Sequence, residues 1–285
     1  MREIVENPPI PKSLKFLYYN RFGALLLRLI NRRWLSKLVG KYMDGRLSRR
    51  KIKKYIKKHG IDMSMFLDED YKSFNAFFTR RIKPELRPFD LDPNALISPC
   101  DGKLSAYRIT DDLKFDVKGF TYDVNTLLKN DELAKKYEGG LCLVFRLCVT
   151  DYHRYICFDG GTAEGNTFIK GRLHTVQPCA LQKRRVFTEN CREYTLLKTD
   201  NFGDAVQVEV GAMMVGRIVN EIKSGRFERG DEKGRFEFGG STVILLLQKD
   251  TATVDEEFFA NTQNDCETAV KCGERIGEKI CKTEP

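Results

Sequence analysis

The residues best placed to do chemistry lie near the C-terminus, where Gly239-Gly240-Ser241-Thr242 precedes the apolar run 243–247. Two glycines give a backbone that can bend sharply and be approached closely. The serine hydroxyl that follows could attack the carbonyl just before it, so that the serine acts on its own chain. The same four residues are also ordinary turn material between strands, and the motif alone leaves both interpretations open.

The elements around this serine are predicted to be strands. From residue 96 onward, short apolar or alternating runs are separated by Gly and Asp, which is typical of β-structure. The runs are 103–109, 141–149, 192–198, 205–210 and 242–247. A helix-like insert at 124–137 interrupts them. The sequence therefore predicts an α+β protein with a mainly β body, and residues 255–285 are left without an assignment.

The N-terminal region differs from this body in charge. Residues 1–60 hold 17 Lys and Arg against three acidic residues, a net charge of +14. Since the whole chain carries +9, the remaining residues sum to −5. The basicity belongs to an N-terminal arm, which points to a partner with negative charge.

This arm is predicted to be helical over residues 14–58, and residues 71–82 form a further amphipathic helix. One apolar face of the arm and an opposite basic face follow from a period of 100° per residue. The apolar face comprises Phe22, Leu26, Leu27, Ile30 and Trp34, and the basic face comprises Arg21, Arg28 and Arg32. A second basic segment, 49–58, repeats the pattern.

Three interpretations of the arm remain open: a solvated helix pair packed on the body, an interfacial helix pair on an anionic membrane, and a nucleic-acid surface. The broad aliphatic face with a tryptophan favours lipid, so nucleic acid is not expected as a partner. No uncharged run reaches the roughly 18 apolar residues that a membrane-spanning helix needs. The nine cysteines show no CxxC pair and no zinc spacing, which favours small buried side chains in a reducing cytoplasm.

Five ordered segments resemble the phosphatidylserine decarboxylase family, of the type seen in clostridia-like bacteria. They read FNAFFTRRIKPELRP at 74–88, SPCDG at 98–102, DYHRY at 151–155, EVGAMMVG at 209–216 and GGST at 239–242. The order of five blocks is far more specific than any one of them.

The resemblance implies self-cleavage between Gly240 and Ser241, which turns Ser241 into a covalently bound pyruvoyl group. The products, residues 1–240 and 241–285, would stay together as a heterodimer. The pyruvoyl ketone would form a Schiff base with the amine of phosphatidylserine, and loss of CO2 would give phosphatidylethanolamine. The sequence offers no recognisable site for a metal or for pyridoxal phosphate.

The resemblance also assigns roles to three residues. Ser241 is the nucleophile, His153 is the candidate base because imidazole titrates near neutral pH, and Asp101 is the candidate to orient and stabilise it. Many family members have a second histidine where this chain has Ile156. His174 is therefore a secondary candidate for proton transfer, and a structural role for it is equally open.

For the whole protein we expect a helical basic region over 1–90 followed by a mainly antiparallel β body over 91–285, and the resemblance implies a barrel-like sandwich for that body. It also implies a peripheral enzyme on the cytoplasmic face of the cell membrane, with anionic phosphatidylserine-containing membrane as its partner and a possible homo-oligomer. Three alternatives are a decarboxylase of another aminophospholipid, a non-catalytic anionic-lipid-binding protein and a serine hydrolase. The last lacks its usual Gly-x-Ser-x-Gly elbow.

Overall fold

The computed structural model describes residues 2–213, 217–239 and 241–281. The α-helices are α1 Lys12–Tyr19, α2 Arg21–Ile30, α3 Arg33–Asp44, α4 Ile52–His59, α5 Phe74–Phe78, α6 Val124–Leu128, α7 Asp131–Lys135, α8 Pro178–Leu181, α9 Val186–Glu189 and α10 Glu256–Gln263. Short 3₁₀ helices cover Arg46–Lys51, Met63–Met65 and Pro84–Leu86. The strands are β1 Ile4–Val5, β2 Ala95–Ile97, β3 Gly102–Arg108, β4 Lys114–Val117, β5 Phe120–Asp123, β6 Leu141–Leu147, β7 Arg154–Ile156, β8 Gly161–Ile169, β9 Arg192–Thr199, β10 Asp204–Val210, β11 Ile218–Asn220, β12 Gly225–Phe227, β13 Glu232–Phe236, β14 Ser241–Leu247, β15 Ala252–Val254, β16 Glu267–Val270 and β17 Arg275–Lys279.

Nine of these strands form one antiparallel sheet in the order β1-β16-β3-β6-β14-β10-β9-β8-β12. Two three-stranded sheets, β11-β13-β7 and β15-β17-β2, and the β4-β5 hairpin accompany it. The α+β, mainly β class is therefore confirmed. Over the residues that the structure describes, the large sheet is open, with β1 and β12 at its edges, and does not close into a barrel.

Strand β14 lies at the centre of this sheet because both of its faces are apolar. Val243, Leu245 and Leu247 belong to one hydrophobic cluster, while Ile244 and Leu246 belong to the cluster on the opposite face. A strand buried on both faces needs an unbroken apolar run, which is the pattern of residues 243–247. Burial on both sides fixes the register of this strand, and with it the position of Ser241.

The N-terminal arm is helical, but it is divided into α1 to α4 and a 3₁₀ segment. Asn20 interrupts it first, since its side-chain oxygen accepts a hydrogen bond from the Phe22 amide at 2.9 Å and so caps α2. Gly45 ends α3. At Gly23 a Cβ atom would lie 1.9 Å from the Phe16 carbonyl oxygen, so this glycine lets α1 and α2 pack closely.

The predicted apolar face of the arm is partly wrong. Leu27 is buried, and Ile30 is half-buried. The exposed apolar side chains of α2 are instead Phe22, Leu25, Leu26 and Leu29. The prediction failed because α2 is apolar on two sides, one of which packs inward, and because Trp34 belongs to the separate helix α3.

Two other predicted helices are shorter than expected. Residues 71–82 contain only the five-residue helix α5, and the chain then leaves the helix at Thr79. The 124–137 insert is split into α6 and α7 by Lys129, which adopts a left-handed conformation with φ of 51°. The unassigned C-terminal segment supplies α10, β16 and β17, and six of the nine cysteines are buried free thiols, as predicted.

Candidate active site

Ser241 is fully buried at the first position of β14, at the end of the central strands. On one side it pairs with Leu147 of β6. On the other side Val210 of β10 pairs with Thr242, so Gly211 follows beside Ser241. The hydroxyl is thereby held by the backbone register of three strands rather than by a flexible loop.

The His153 imidazole lies against this hydroxyl. Its Nδ1 atom is 3.5 Å from the Ser241 Oγ, and its ring stacks on Phe78 at 4.2 Å between centroids. The His153 carbonyl accepts a hydrogen bond from the Phe236 amide at 2.9 Å, which ties the loop before β7 to the end of β13. The structure thus brings together two residues that are 88 positions apart in the sequence.

Burial keeps this imidazole neutral. Burial, reinforced by the positive charge of Arg80, lowers the pKa of His153 from 6.5 to about 3. Arg80 is itself buried, and its guanidinium lies over the rings of Phe66 and Phe77 at 4.1 and 4.7 Å. At neutral pH the imidazole therefore has a free lone pair that can accept the serine proton.

Asp101 lies between β2 and β3 and is paired with groups other than the imidazole. Its carboxylate accepts hydrogen bonds from Arg87 Nε and Nη2 at 3.1 and 2.8 Å and from the Cys272 amide at 2.8 Å. In the part of the chain that is described, it makes no hydrogen bond to His153. Its charge nevertheless opposes the lowering of the His153 pKa, so it acts on the imidazole through space.

The segment before Ser241 is held by helix α5. The Asn75 side-chain oxygen accepts a hydrogen bond from the Phe238 amide at 3.0 Å, and the Phe238 ring meets Phe74 and Phe78 edge-on at 5.2 and 5.3 Å. Gly239 follows with φ of 135°, a conformation that favours glycine. Gly240, the other predicted cleavage-site residue, lies outside the described residues, as does Val215-Gly216 of the fourth block.

His174 occupies a different environment. Its Nδ1 is 3.2 Å from the Tyr18 hydroxyl, and its Nε2 is 3.2 Å from the Asn31 side chain and 3.4 Å from a Glu189 carboxylate oxygen. Tyr18 and Asn31 belong to the N-terminal arm. The contacts of both ring nitrogens join the arm to the body, and neither nitrogen has Ser241 as a hydrogen-bond partner.

Beneath the end of the sheet lies a buried ion pair that the sequence did not indicate. Lys233 Nζ lies 2.7 Å from Glu209 Oε1, and both side chains have 0% exposure. Asn220 bridges the pair, since its oxygen lies 3.0 Å from Lys233 Nζ and its nitrogen 3.2 Å from Glu209. Burial raises the pKa of Glu209, and the charge and hydrogen bond of Lys233 act against that rise.

Replacing Lys233 with methionine is expected to destabilise the fold by about 3–5 kcal/mol, because an uncompensated buried carboxylate would remain. Thermal unfolding of uncleavable Ser241→Ala protein measures this on a single chain. The matched control is the double change Lys233→Met with Glu209→Gln, which removes both charges and should recover part of the loss. Equal melting temperatures for Lys233→Met and its parent would contradict the expectation.

Several residues of the site escaped the sequence analysis, although four of them lie in its first motif. Asn75, Phe78, Arg80 and Arg87 all belong to the 74–88 block. The motif indicated a family but not which side chains face Ser241, since that depends on long-range packing. Cys272 binds Asp101 through its backbone amide. Because every residue except proline has this group, the residue type does not indicate the contact.

A buried serine beside a neutral imidazole, at the head of a strand and after a glycine pair, fits a serine that acts on its own chain. The family model for phosphatidylserine decarboxylase matches residues 74–278. The chain belongs to the phosphatidylserine decarboxylase family.

Clostridial proteins are similar to this chain over most of its length. It is 45% identical to phosphatidylserine decarboxylase proenzyme 2 of Clostridium acetobutylicum over 268 residues, which cover 93% of this chain and 91% of that protein. It is 44% identical to a phosphatidylserine decarboxylase proenzyme of Clostridium botulinum, strain 657, over 96% of this chain and 95% of that protein. It is 42% identical to the phosphatidylserine decarboxylase proenzyme of Clostridium perfringens, strain SM101, over 94% of this chain and 93% of that protein.

Proposed function

We propose that this protein decarboxylates phosphatidylserine to phosphatidylethanolamine and CO2, using a pyruvoyl group that it makes from Ser241 by self-cleavage. The observation that carries the proposal is the 3.5 Å approach of His153 Nδ1 to the Ser241 Oγ, directly after the glycine pair of the family motif. Family membership supports the reaction, and this geometry supports the roles proposed for Ser241 and His153.

In the proposed cleavage, His153 takes the Ser241 proton as the Oγ attacks the preceding carbonyl, and an ester replaces the amide. Elimination then breaks the Cβ–Oγ bond of residue 241 and releases the new C-terminal carboxylate. Hydrolysis of the remaining dehydroalanine by one water molecule releases ammonia and leaves the pyruvoyl group on the shorter chain. Asp101 is a positioning residue in this proposal, because its charge favours the imidazolium that forms. Asn75 and Phe238 hold the segment that presents the scissile carbonyl.

The site fits a carbonyl-bearing group at position 241. The Nδ1 atom of His153 is the ring nitrogen that faces this position, so it can form a hydrogen bond to an oxygen formed there. The pyruvoyl group would supply an electron sink for the carboxylate of an amine-bearing substrate. Phe78 and the strands around Ser241 would keep bulk water from this position.

The two products would stay together because the shorter one supplies the centre of the fold. Strand β14 lies between β6 and β10, and β16 lies between β1 and β3. Arg2 adds ion pairs to Asp255, Glu257 and Glu274 of that segment. The heterodimer is therefore held by two internal strands and by an N-terminal clamp.

Intact mass under denaturing conditions tests the proposal directly. We expect a chain ending at residue 240 and a chain starting at 241 with no free amine, while native chromatography gives one species. Borohydride should add two hydrogens to the shorter chain and abolish CO2 release from phosphatidylserine vesicles. Full decarboxylase activity from an uncut chain would contradict the pyruvoyl proposal.

We further propose that the enzyme works on membranes through a membrane-facing patch on α2 and α3. Its apolar residues are Phe22, Leu25, Leu26, Leu29, Trp34 and Leu38, all of them exposed. Arg21, Arg28 and Arg32 flank them and are exposed as well. Within the described residues, no helix is long and apolar enough to cross a bilayer. An exposed apolar patch with a basic border suits insertion into an anionic leaflet, on the cytoplasmic face of the membrane.

Changing Leu25 and Leu29 to aspartate is expected to lower binding to anionic vesicles at least about tenfold, even at low salt. These side chains are 62% and 53% exposed, so their replacement spares the core. Each substitution removes roughly 1.5–3 kcal/mol of the free energy gained when a leucine side chain enters the membrane. The matched control is Leu91→Asp, at a leucine 78% exposed outside the arm. Co-sedimentation measures binding, and unchanged binding of the double variant would assign the membrane contact to another surface.

A further inference from the structure

A cavity of about 560 Å³ lies between helix α3 and the end of the large sheet. Cys191 and Gly211 form part of its wall on the sheet side, and they sit on neighbouring strand ends joined by a Gly211 amide to Cys191 carbonyl hydrogen bond of 2.9 Å. The next position across the sheet is Ser241, since Val210 pairs with Thr242. Glu237, four residues before Ser241, lines the cavity too. Its volume is in the range of small-molecule sites.

Helix α3 gives this cavity a basic wall. Arg33, Lys37 and Lys41 line it at spacings of four residues, and the small residues Ser36 and Gly40 lie between them. Lys37 and Lys41 make no ion pair within the described residues, and Arg33 lies over the Phe168 ring at 5.0 Å. Two cations without a protein partner, facing a space kept open by small side chains, suit a phosphate group.

The opposite wall carries negative charge. Glu193 on β9 accepts a hydrogen bond from Asn220 at 2.9 Å and has no cationic partner in the described part of the chain. Glu237, in contrast, is paired with Arg217 through two contacts of 2.8 Å. Asp44, the last residue of α3, also lines the cavity, and its carboxylate accepts a hydrogen bond from Asn75 at 2.8 Å. Among the described residues the cavity is therefore dipolar, with unpaired lysines on α3 and the unpaired Glu193 carboxylate on the sheet side that also holds Ser241.

The outer face of α3 is apolar. Trp34, Leu38 and Tyr42 are exposed and follow the same spacing, one residue after each cavity-facing cation. Trp34 and Leu38 belong to the membrane-facing patch. A lipid lying along this helix could leave its acyl chains on the apolar side while its head group turns into the cavity.

We propose that this cavity is the head-group site for phosphatidylserine, in which Lys37 and Lys41 hold the phosphodiester and Glu193 attracts the serine ammonium. Arg33 completes the basic wall. This inference rests on the proposed function for the identity of the lipid. The residues that select the lipid head group would then lie outside the self-cleavage machinery. In this site the lipid amine would point toward the end of the sheet that carries Ser241.

The test uses two soluble short-chain lipids, dihexanoyl phosphatidylserine and dihexanoyl phosphatidylglycerol, below their micellar concentrations, so that vesicle binding plays no part. Calorimetric titration of full-length Ser241→Ala protein measures affinity without turnover. Lys37→Gln with Lys41→Gln is expected to weaken both lipids about tenfold or more. Glu193→Gln should weaken phosphatidylserine alone, since phosphatidylglycerol has no amine.

The matched control is Lys54→Gln with Lys58→Gln on α4, which makes the same charge change at the same spacing on another exposed helix. It should bind both soluble lipids like the parent. Equal losses in the control and test pairs would show a general charge effect and overturn the site. So would unchanged affinity in the test pair, provided that melting shows every variant to be folded.

Kinetics of the processed enzyme separates this inference from the proposed function. With Ser241 present, the Lys37/Lys41 pair should raise the KM for the soluble phosphatidylserine while self-cleavage proceeds as in the parent. An unchanged KM in an active enzyme overturns the cavity assignment alone. If the Ser241→Ala protein binds the head groups in the predicted pattern but the protein with Ser241 present never forms a pyruvoyl group, the proposed function alone is overturned.

Discussion

Replacing Ser241 with alanine is expected to leave a single uncut chain that releases no CO2 from phosphatidylserine. Without the Oγ atom there is no nucleophile beside His153, and without cleavage no pyruvoyl group forms. Alanine removes only one buried oxygen, whose approach to the imidazole is long at 3.5 Å, so the fold should persist. Denaturing electrophoresis, intact mass and CO2 release measure the three parts of this result.

The informative control for this change is Ser241→Cys, which keeps a nucleophile of similar size at the head of β14. It should be processed slowly and regain some activity. Attack by the cysteine sulfur would give a thioester, and its elimination leaves the same dehydroalanine, which is hydrolysed to the pyruvoyl group. Decarboxylase activity in the alanine protein would exclude Ser241 as the source of the cofactor. Failure of the alanine protein to melt cooperatively would move the test to the cysteine variant.

Replacing His153 with alanine should slow self-cleavage by about 10²- to 10⁴-fold, the usual contribution of a general base. The buried environment adds a second expectation about pH. Because the pKa of His153 is lowered to about 3, the imidazole stays neutral in weak acid, and the parent cleavage rate should not fall around pH 6.5. Following cleavage of refolded or newly synthesised chain from pH 7 to 5 tests this.

Asp101→Asn serves as the comparison for His153. Its carboxylate is bound by Arg87 and Cys272, so the loss of charge should slow cleavage less than the loss of the imidazole. Equal losses for the two variants would mean that Asp101 contacts His153 directly during the reaction. A cleavage rate that titrates near pH 6.5 would contradict the buried, neutral imidazole.

The strands that carry the site could be predicted because β6, β10 and β14 are buried on both faces and therefore have nearly continuous apolar runs, whereas β3 and β9 have mixed runs with some exposed positions. Runs at 103–109, 141–149, 192–198, 205–210 and 242–247 correspond to β3, β6, β9, β10 and β14. The N-terminal arm was less predictable. Its breaks at Asn20 and Gly45 depend on helix caps. Which face of each helix is buried depends on packing against the β body, which the sequence of the arm does not show.

The site was predictable to a similar degree. The pairing of Ser241 with His153 followed from the family motifs, and the structure places these residues side by side. The partners of Asp101 did not follow, because one is an arginine in a motif without a known contact and the other is a backbone amide. Lys233 gave no signal either, since a buried lysine looks like any surface lysine in a sequence.

The central place of β14 has a consequence for how the enzyme can be regained once it is lost. An intact chain that unfolds carries every strand with it, and its refolding is a first-order reaction. After a cut ahead of β14, the same sheet must be rebuilt from two molecules, so renaturation becomes second-order and fails on dilution. The uncleaved precursor would thus be the form that can refold after denaturation. The cleaved, active form would stay active only until it first unfolds.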